Sequence, residues 1–263
     1  MKNYSSVIPL GDNKYAFKQT DESFRDGVKI SQEILLRWMP PRIFYHHRKG
    51  GHLAAYKKHL SNSYFSHVDI SRFFFSITRN KVLKSLKSIG IDFLSANYYS
   101  ASSVVNFHGK RFLPYGFYQS QIIASLCLYN SAAGRFLKNA PKEICLSLYV
   151  DDILISSENC DLLKEYCLNL MEKIEESNYS YAAEKCEIAQ PMVTAFNIEI
   201  SQRSGVITAD RMEKFRDFIR LKVRETNAVE AVLAYVGQVN ADQYTELREY
   251  WRWALGSGFI TNR

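Results

Sequence analysis

What this chain lacks narrows its class first. Among 263 residues there are only five cysteines, Cys127, Cys145, Cys160, Cys167 and Cys186. The number is odd and no C-x-x-C pair occurs, which argues for a reducing compartment and against a cysteine-built zinc site. No stretch reaches the roughly 18 uninterrupted apolar residues that a membrane-crossing helix needs, and the N-terminus lacks a signal-peptide pattern. The expectation is a soluble, cytoplasmic protein with no membrane partner. Internal repeats and low-complexity linkers are also missing, so the parts of the chain are expected to form one unit.

What is present points to a globular body with a large core. Apolar residues make up 46% and aromatic residues 14%, which excludes a disordered chain. The formal net charge is +7 and the isoelectric point is about 9.0. Such a charge can serve solubility alone, or it can meet a polyanionic partner.

The stretch Ser147-Leu148-Tyr149-Val150-Asp151-Asp152-Ile153-Leu154-Ile155-Ser156 organises the rest. Strand-forming residues flank two adjacent carboxylates, and a tight turn at Asp151-Asp152 would thrust both out at a hairpin tip. Two carboxylates held together repel unless a cation sits between them, commonly a divalent metal with oxygen ligands. Taken alone, an ordinary hairpin with an Asp-Asp turn explains the pattern equally well. Two further stretches weigh against that. His67-Val68-Asp69-Ile70-Ser71-Arg72-Phe73-Phe74-Phe75 places a lone carboxylate at the end of an apolar run. Leu113-Pro114-Tyr115-Gly116-Phe117-Tyr118-Gln119-Ser120-Gln121 precedes a helix-like segment.

In this order the three stretches resemble the palm of a reverse transcriptase, over about residues 45–200. Asp69 opens what resembles motif A, Gly116 and Ser120 fit a motif B pattern, and Tyr149 to Asp152 is a Tyr-x-Asp-Asp motif C. The resemblance implies an α+β right-hand polymerase fold. Residues 1–60 would be reduced fingers, 61–208 a palm of antiparallel sheet and helices with motifs A to E, and 209–263 a short helical thumb. It implies phosphoryl transfer by Asp69, Asp151 and Asp152 with two Mg²⁺ ions, Mn²⁺ being a substitute. Asp69 and Asp151 would hold the ions, Ile70 counts with them, and Asp152 stands near. The implied partners are an RNA template, a dedicated non-coding RNA in this branch, with a DNA product and deoxynucleotides. A partner protein or a second copy of the chain is a further expectation.

The same resemblance assigns the nucleotide-binding residues. Phe74, five residues past Asp69, would lie under the sugar and exclude a 2′-hydroxyl, while two of Phe73, Phe74 and Phe75 are expected in the core. Tyr115, Gly116 and Ser120 would line the nascent base pair. Tyr115 replaces the Gln found in many members and Gln121 the Pro, which bears on fidelity. Lys185, in the motif D region, would stand near the leaving pyrophosphate or simply be a surface lysine. Lys18 and Arg25 are candidates for gripping the triphosphate. Arg48, Lys57, Lys58 and Arg216 are candidates for nucleic-acid binding.

Elsewhere the periodicities are plain. Tyr15 to Lys18 reads as a short strand. Ile30, Ile34, Leu35 and Trp38 recur at helical spacing before Pro40-Pro41 stops the pattern. Arg79 to Gly90, Gln121 to Phe136 and Asp161 to Ser177 read as helices, and Lys81, Lys84 and Lys87 as a wet helix face. Gly109-Lys110 marks a hairpin turn, and Phe196 to Thr208 a hairpin that would grip the primer end. Residues 210–255 read as two or three helices, with Trp251 and Trp253 used in packing. His46, His47 and His52 lack a cysteine or carboxylate spaced to complete a zinc set. Their Gly-Gly-containing stretch, with a short helix over Leu53 to Leu60, reads as a phosphate-approaching turn or a solvated loop.

Retron signatures are missing, and no integrase, maturase or RNase H segment fits the length. Tyr45 to His52, the Leu113 to Ser120 run and the short thumb resemble the bacterial "unknown group" and abortive-infection-like reverse transcriptases, many of them antiphage. A diversity-generating retroelement enzyme is the alternative, and a catalytically silent palm that binds RNA or protein is the rival from another class.

Overall fold

The computed structural model describes residues 3–11 and 14–256. Residues 1–2 and 12–13 of the expected fingers and 257–263 of the expected thumb lie outside the described residues. The chain begins with a hairpin, β1 (Tyr4–Pro9) and β2 (Tyr15–Gln19), followed by α1 (Asp21–Arg37). Thr20 caps α1 by accepting from the Ser23 amide, and Asp21 and Glu22 sit at its positive end. Ile30 and Ile34 bury its inner face, and the helix ends at Trp38, just before the two prolines. Next come α2 (Gly51–Lys57) and β3 (Tyr64–Ser71), then α3 (Arg79–Ser88), α4 (Phe93–Ser102) and the small hairpin β4 (Val105–Phe107) with β5 (Lys110–Phe112).

The next segment departs from the expected single helix over Gln121 to Phe136. It is two helices, α5 (Ser120–Tyr129) and α6 (Ala132–Lys138). Ser131 starts α6 by accepting from the Gly134 amide, a local capping bond that competes with helix continuation. A Cβ at Gly134 would lie 2.0 Å from the Leu128 carbonyl, so only glycine permits this tight junction.

Then follow β6 (Cys145–Tyr149), β7 (Asp152–Ser157), α7 (Cys160–Glu176), β8 (Ser180–Tyr181) and β9 (Glu187–Gln190). A three-stranded sheet, β10 (Met192–Ala195), β11 (Ile198–Ser201) and β12 (Ser204–Ile207), leads to α8 (Ala209–Lys222), α9 (Thr226–Val239) and α10 (Ala241–Gly256). The central sheet runs β6-β7-β3-β8, with β9 also on β3, and its pairings are antiparallel.

Successive strand residues face opposite ways, and both faces of this sheet are used. Val68, Ile70, Leu148, Ile153 and Ile155 join the main core with α1, α3, α5, α6 and α7. Phe65 and Leu154 point the other way, into a second cluster with Tyr56 of α2, Val193, Ile198 and Ile200. Phe17, Val105, Phe112 and Phe117 make a small aromatic cluster that joins the first hairpin to β4 and β5. The three last helices close their own core of Met212, Phe215, Ile219, Val229, Leu233, Val236 and Leu247, with Ile207 of β12 added. Gln243 fastens that bundle by accepting from the Ile207 amide and donating to its carbonyl, both at 2.8 Å. Among the described residues no helix is long and apolar enough to cross a membrane.

Candidate active site

The carboxylates sit where three strands meet. Tyr149 pairs with Asp152 across β6 and β7, so the hairpin loop is Val150-Asp151. This corrects the expected turn at Asp151-Asp152. Asp152 is the first residue of β7, pairs also with Asp69 of β3 and is thereby fixed in the ladder. Only Asp151 is at the tip. Val150 supplies the positive φ, +62°, that two-residue hairpin loops need.

Period-two alternation puts Phe65, His67 and Asp69 on one face of β3, opposite Ser156, Leu154 and Asp152 of β7. Asp69 is buried, and its Oδ2 accepts from Lys185 Nζ at 2.8 Å. His67 Nε2 lies 2.9 Å from Asp152 Oδ1. The Ile70 amide donates to the Asp151 carbonyl at 3.0 Å, and the Ala182 amide to the Asp69 carbonyl at 2.9 Å. Burial first, then the Asp152 carboxylate, with a smaller push from Asp69, raises the Asp151 pKa to about 7; its own backbone and the Lys14 ammonium oppose the rise. The hydrogen bond and charge of Asp69 raise the pKa of Lys185.

Neighbouring carboxylates of this kind, Asp69 buried and the other two partly so, call for a cation, and oxygen-only donors suit a hard divalent ion. Among the described residues Lys185 pairs with Asp69, and the Lys14 ammonium acts on Asp151. Among the described residues no three His, Cys, Asp or Glu side chains gather as a ready-made metal cage. The fit to a divalent metal is therefore one of donor chemistry and charge, at Asp69, Asp151 and Asp152. Ile70 contributes a backbone contact to the Asp151 residue.

The residues expected at the nucleotide group around β2 and the segment after β3. Phe74 is half-buried, and its ring centroid is 5.8 Å from that of Tyr115. Phe73 is in the main core, and Phe75 packs on Phe112 at 4.6 Å. Gly116 has φ +102°, and a Cβ there would stand 2.7 Å from the Phe17 carbonyl. The Phe17 amide donates to the Tyr115 carbonyl at 2.8 Å. Glycine is thus demanded by the passage of β2, a reason internal to the fold. Ser120 is buried at the start of α5 with no hydrogen-bond partner for its hydroxyl. Next to it, buried Gln119 accepts from Gln19 Nε2 at 3.1 Å, while Gln19 Oε1 accepts from the Tyr118 amide at 2.7 Å. Gly27 leaves the space that Gln119 fills.

The basic candidates divide. Lys18, Arg25 and Lys57 are exposed on β2, α1 and the end of α2. Three others are engaged by acceptors within the fold. Arg48 donates to the Arg42 carbonyl at 2.7 Å and lies over the Tyr45 ring. Lys58 reaches the Leu146 carbonyl at 3.2 Å. Arg216 is paired with Glu213 and Glu246 on the surface of the terminal bundle. Each is drawn to an acceptor that the fold brings within reach. The imidazoles of the histidine stretch turn inward, against the solvated-loop reading of His46 and His47, while Arg48, Lys49 and Gly50 at its turn stay exposed. His46 Nε2 and His47 Nε2 lie 2.7 and 2.9 Å from Ser125 Oγ. His52 Nε2 is 3.2 Å from the Tyr235 hydroxyl, and buried His59 lies between Ser156 and Ser147 at 2.7 and 2.8 Å.

Sequence reasoning missed Lys14, His67, Gln19 and Arg211. His67 was readable, because two residues before Asp69 on a strand is the same face. Arg211 lines a cleft of about 570 Å³ with His52, Tyr149, Asp152, Phe196 and Tyr235, between the β6-β7 hairpin and the terminal helices. No local signal marks it, Lys14 or Gln19.

A mixed antiparallel palm with an aspartate on each of two paired strands and a third in the turn between strands defines a nucleic-acid polymerase fold. The family model described as "Reverse transcriptase (RNA-dependent DNA polymerase)" matches residues 16–227, and the chain belongs to that family. Members of it generally use divalent metals. No curated protein matches the chain in sequence. Solved structures similar to it include the foamy viral protease-reverse transcriptase in complex with RNA/DNA hybrid, at 16% identity and TM-score 0.52, covering 95% of this chain and 33% of that one. The foamy viral protease-reverse transcriptase dRH, in complex with double-stranded DNA, aligns at 16% identity and TM-score 0.50, covering 94% and 42%. The RNA-dependent RNA polymerase of BmCPV at its elongation state aligns at 10% identity and TM-score 0.59, covering 96% and 26%. The chain spans less than half the length of each of these proteins.

Proposed function

We propose that this chain is an RNA-directed DNA polymerase that adds deoxynucleotides to a primer end by two-metal phosphoryl transfer. The observation that carries this reading is the juxtaposition of Asp69, Asp151 and Asp152 at one end of the β3-β7 ladder, with Lys185 on Asp69. Asp69 and Asp151 would hold the divalent ions, with Mg²⁺ the expected one, while ladder pairing keeps Asp152 in the strand and His67 Nε2 meets its carboxylate. When bound, such ions would supply a lowered pKa for the primer 3′-hydroxyl and charge balance for the leaving pyrophosphate. Phe74 and Tyr115 bound the sugar, exposed Lys18 and Arg25 together with Lys14 meet the triphosphate, and Lys185 is released from Asp69 toward the leaving group. The excess positive charge on the chain holds template and product. The template is an RNA dedicated to the enzyme, and the biological setting is bacterial antiphage defence, on the resemblance of Tyr45 to His52 and of Leu113 to Ser120 to that group.

The deciding experiment measures dNTP incorporation on an RNA template with and without Mg²⁺, in the wild type and in Asp69→Ala and Asp151→Ala proteins. Loss of synthesis in both variants, with melting temperature kept, is expected, since each change removes a like charge without emptying the apolar core. Full synthesis by the Asp69→Ala protein would sink the two-metal assignment. Sequencing of co-purified nucleic acid separates a dedicated template from the variable-repeat template of a diversity-generating enzyme.

A further inference from the structure

Val150 is the strained point of the catalytic turn. A β-branched residue at φ +62° crowds its own backbone, and it directly precedes Asp151. Hairpin loops favour Gly, Asn or Asp at such a position, so this turn needs a hold from outside itself.

That hold comes from a residue about a hundred positions earlier. The Val150 amide donates to His46 Nδ1 at 2.9 Å. Nδ1 is therefore unprotonated, and Nε2 carries the ring proton. Nε2–H donates to Ser125 Oγ at 2.7 Å, His47 Nε2 donates to the same oxygen at 2.9 Å, and Ser125 passes its own proton to the Gln121 carbonyl at 2.9 Å. Every donor in this chain has one acceptor. The edge contacts of Phe44 and Tyr149, with centroids 5.7 and 6.0 Å away, fix the plane of the His46 ring. Burial, and the neighbouring His47, keep this imidazole neutral, with a pKa of about 3.

We propose that His46 is a positioning residue of the polymerase site: through the Val150 amide it holds the strained turn that presents Asp151, and through Ser125 it ties that turn to helix α5. The inference rests on the reading of Asp151 as a metal-holding residue. An imidazole suits the task because it is rigid and offers an acceptor and a donor on opposite edges. Asparagine reproduces the acceptor at the Nδ1 position. Glutamine extends to the Nε2 position and leaves the Val150 amide without a partner.

The test uses Mn²⁺ as the probe, with binding to the metal-free full chain counted from the electron-spin signal of the free ion. Amide hydrogen exchange of the 147–154 segment and melting temperature are read alongside. His46→Gln is expected to weaken Mn²⁺ binding about tenfold, the scale for losing an outer-shell partner, and to speed exchange in the turn. His46→Asn is expected to keep both near the wild type. Ser125→Ala, which hardly changes volume, should move both readouts in the direction of His46→Gln, by less. A histidine that served stability alone would lower the melting temperature in both His46 variants and give them equal Mn²⁺ affinity, and that result overturns the proposal. If neither His46 variant folds, Ser125→Ala decides, and unchanged binding and exchange there overturn it too. Asp151→Ala provides the separate control. Wild-type Mn²⁺ binding in that protein would remove the metal reading of the turn, while the exchange data would still judge the His46 hold.

Discussion

Acid should loosen this protein through a histidine buried against the two strands of the aspartate hairpin. His59 is fully buried, with Nδ1 2.7 Å from Ser156 Oγ and Nε2 2.8 Å from Ser147 Oγ. Burial first, then the charge of Lys58, pushes its pKa from 6.5 to about 3. The sign follows directly. The folded chain takes no proton at His59 until about pH 3, while the unfolded chain takes one near pH 6.5, so the contribution is intact above 6.5 and is lost as pH falls below it. One such group costs about 1.4 kcal/mol at pH 5.5 and about 2 kcal/mol at pH 5, with a slope approaching ~1.4 kcal/mol per pH unit. That is a sizeable part of the ~5–15 kcal/mol that stabilises an ordinary domain. The assay is urea denaturation from pH 7.5 to 5 for the wild type and His59→Gln. The variant starts less stable, because glutamine cannot reach both serines, but its stability should fall less steeply by about one proton. His46 and His47, also shifted downward by burial, titrate in both proteins and cancel in the comparison. Parallel curves for the two proteins would refute the reasoning.

Phe74→Ala is expected to admit ribonucleotides in incorporation assays, because a steric block is relieved by deletion, whereas Phe73→Ala costs about 3–5 kcal/mol of stability by chemical denaturation with sugar preference unchanged. Gly116→Ala should lower both melting temperature and polymerase activity, since φ +102° and the 2.7 Å approach to the Phe17 carbonyl leave no place for a Cβ; an unchanged melting temperature would count against the close passage of β2. Nucleic-acid affinity should fall steeply between low and physiological salt in filter-binding or anisotropy measurements, given the net charge of +7.

The strands of the site were legible because their alternation is local. Val68, Ile70, Ile153 and Ile155 on one face and Asp69 and Asp152 on the other follow from period two alone. The turn was read one residue late, because Asp-Asp is the better turn former by propensity and the cross-strand pairing of Asp152 with Tyr149 and Asp69 overrode it. The break between α5 and α6 had a local mark in Ser131, hidden by the continuous apolar pattern around it. The partners of the site residues were another matter. Lys185 reaches Asp69, His46 the Val150 amide and Gln19 Gln119 across about a hundred residues of chain each. Spacing along a sequence holds no information about such meetings. The same holds for Lys58 with the Leu146 carbonyl and Arg216 with Glu246, whereas the Arg216–Glu213 pair is an i,i+3 contact that helical spacing already offers.

The terminal bundle has a mechanical consequence. Its apolar core shares no residue with the main core around β3, β7 and α5, and it takes in Ile207 from β12. Gln243 grips that same residue by its backbone. A load on the three last helices is therefore shared between β12 with its sheet and α2, where the Tyr56 hydroxyl donates to the Gln238 carbonyl and His52 Nε2 lies 3.2 Å from the Tyr235 hydroxyl. A tilt of the bundle would act on those two supports first, because the register of the β3-β7 ladder rests on its own backbone pairing from Tyr64–Ser157 to Asp69–Asp152.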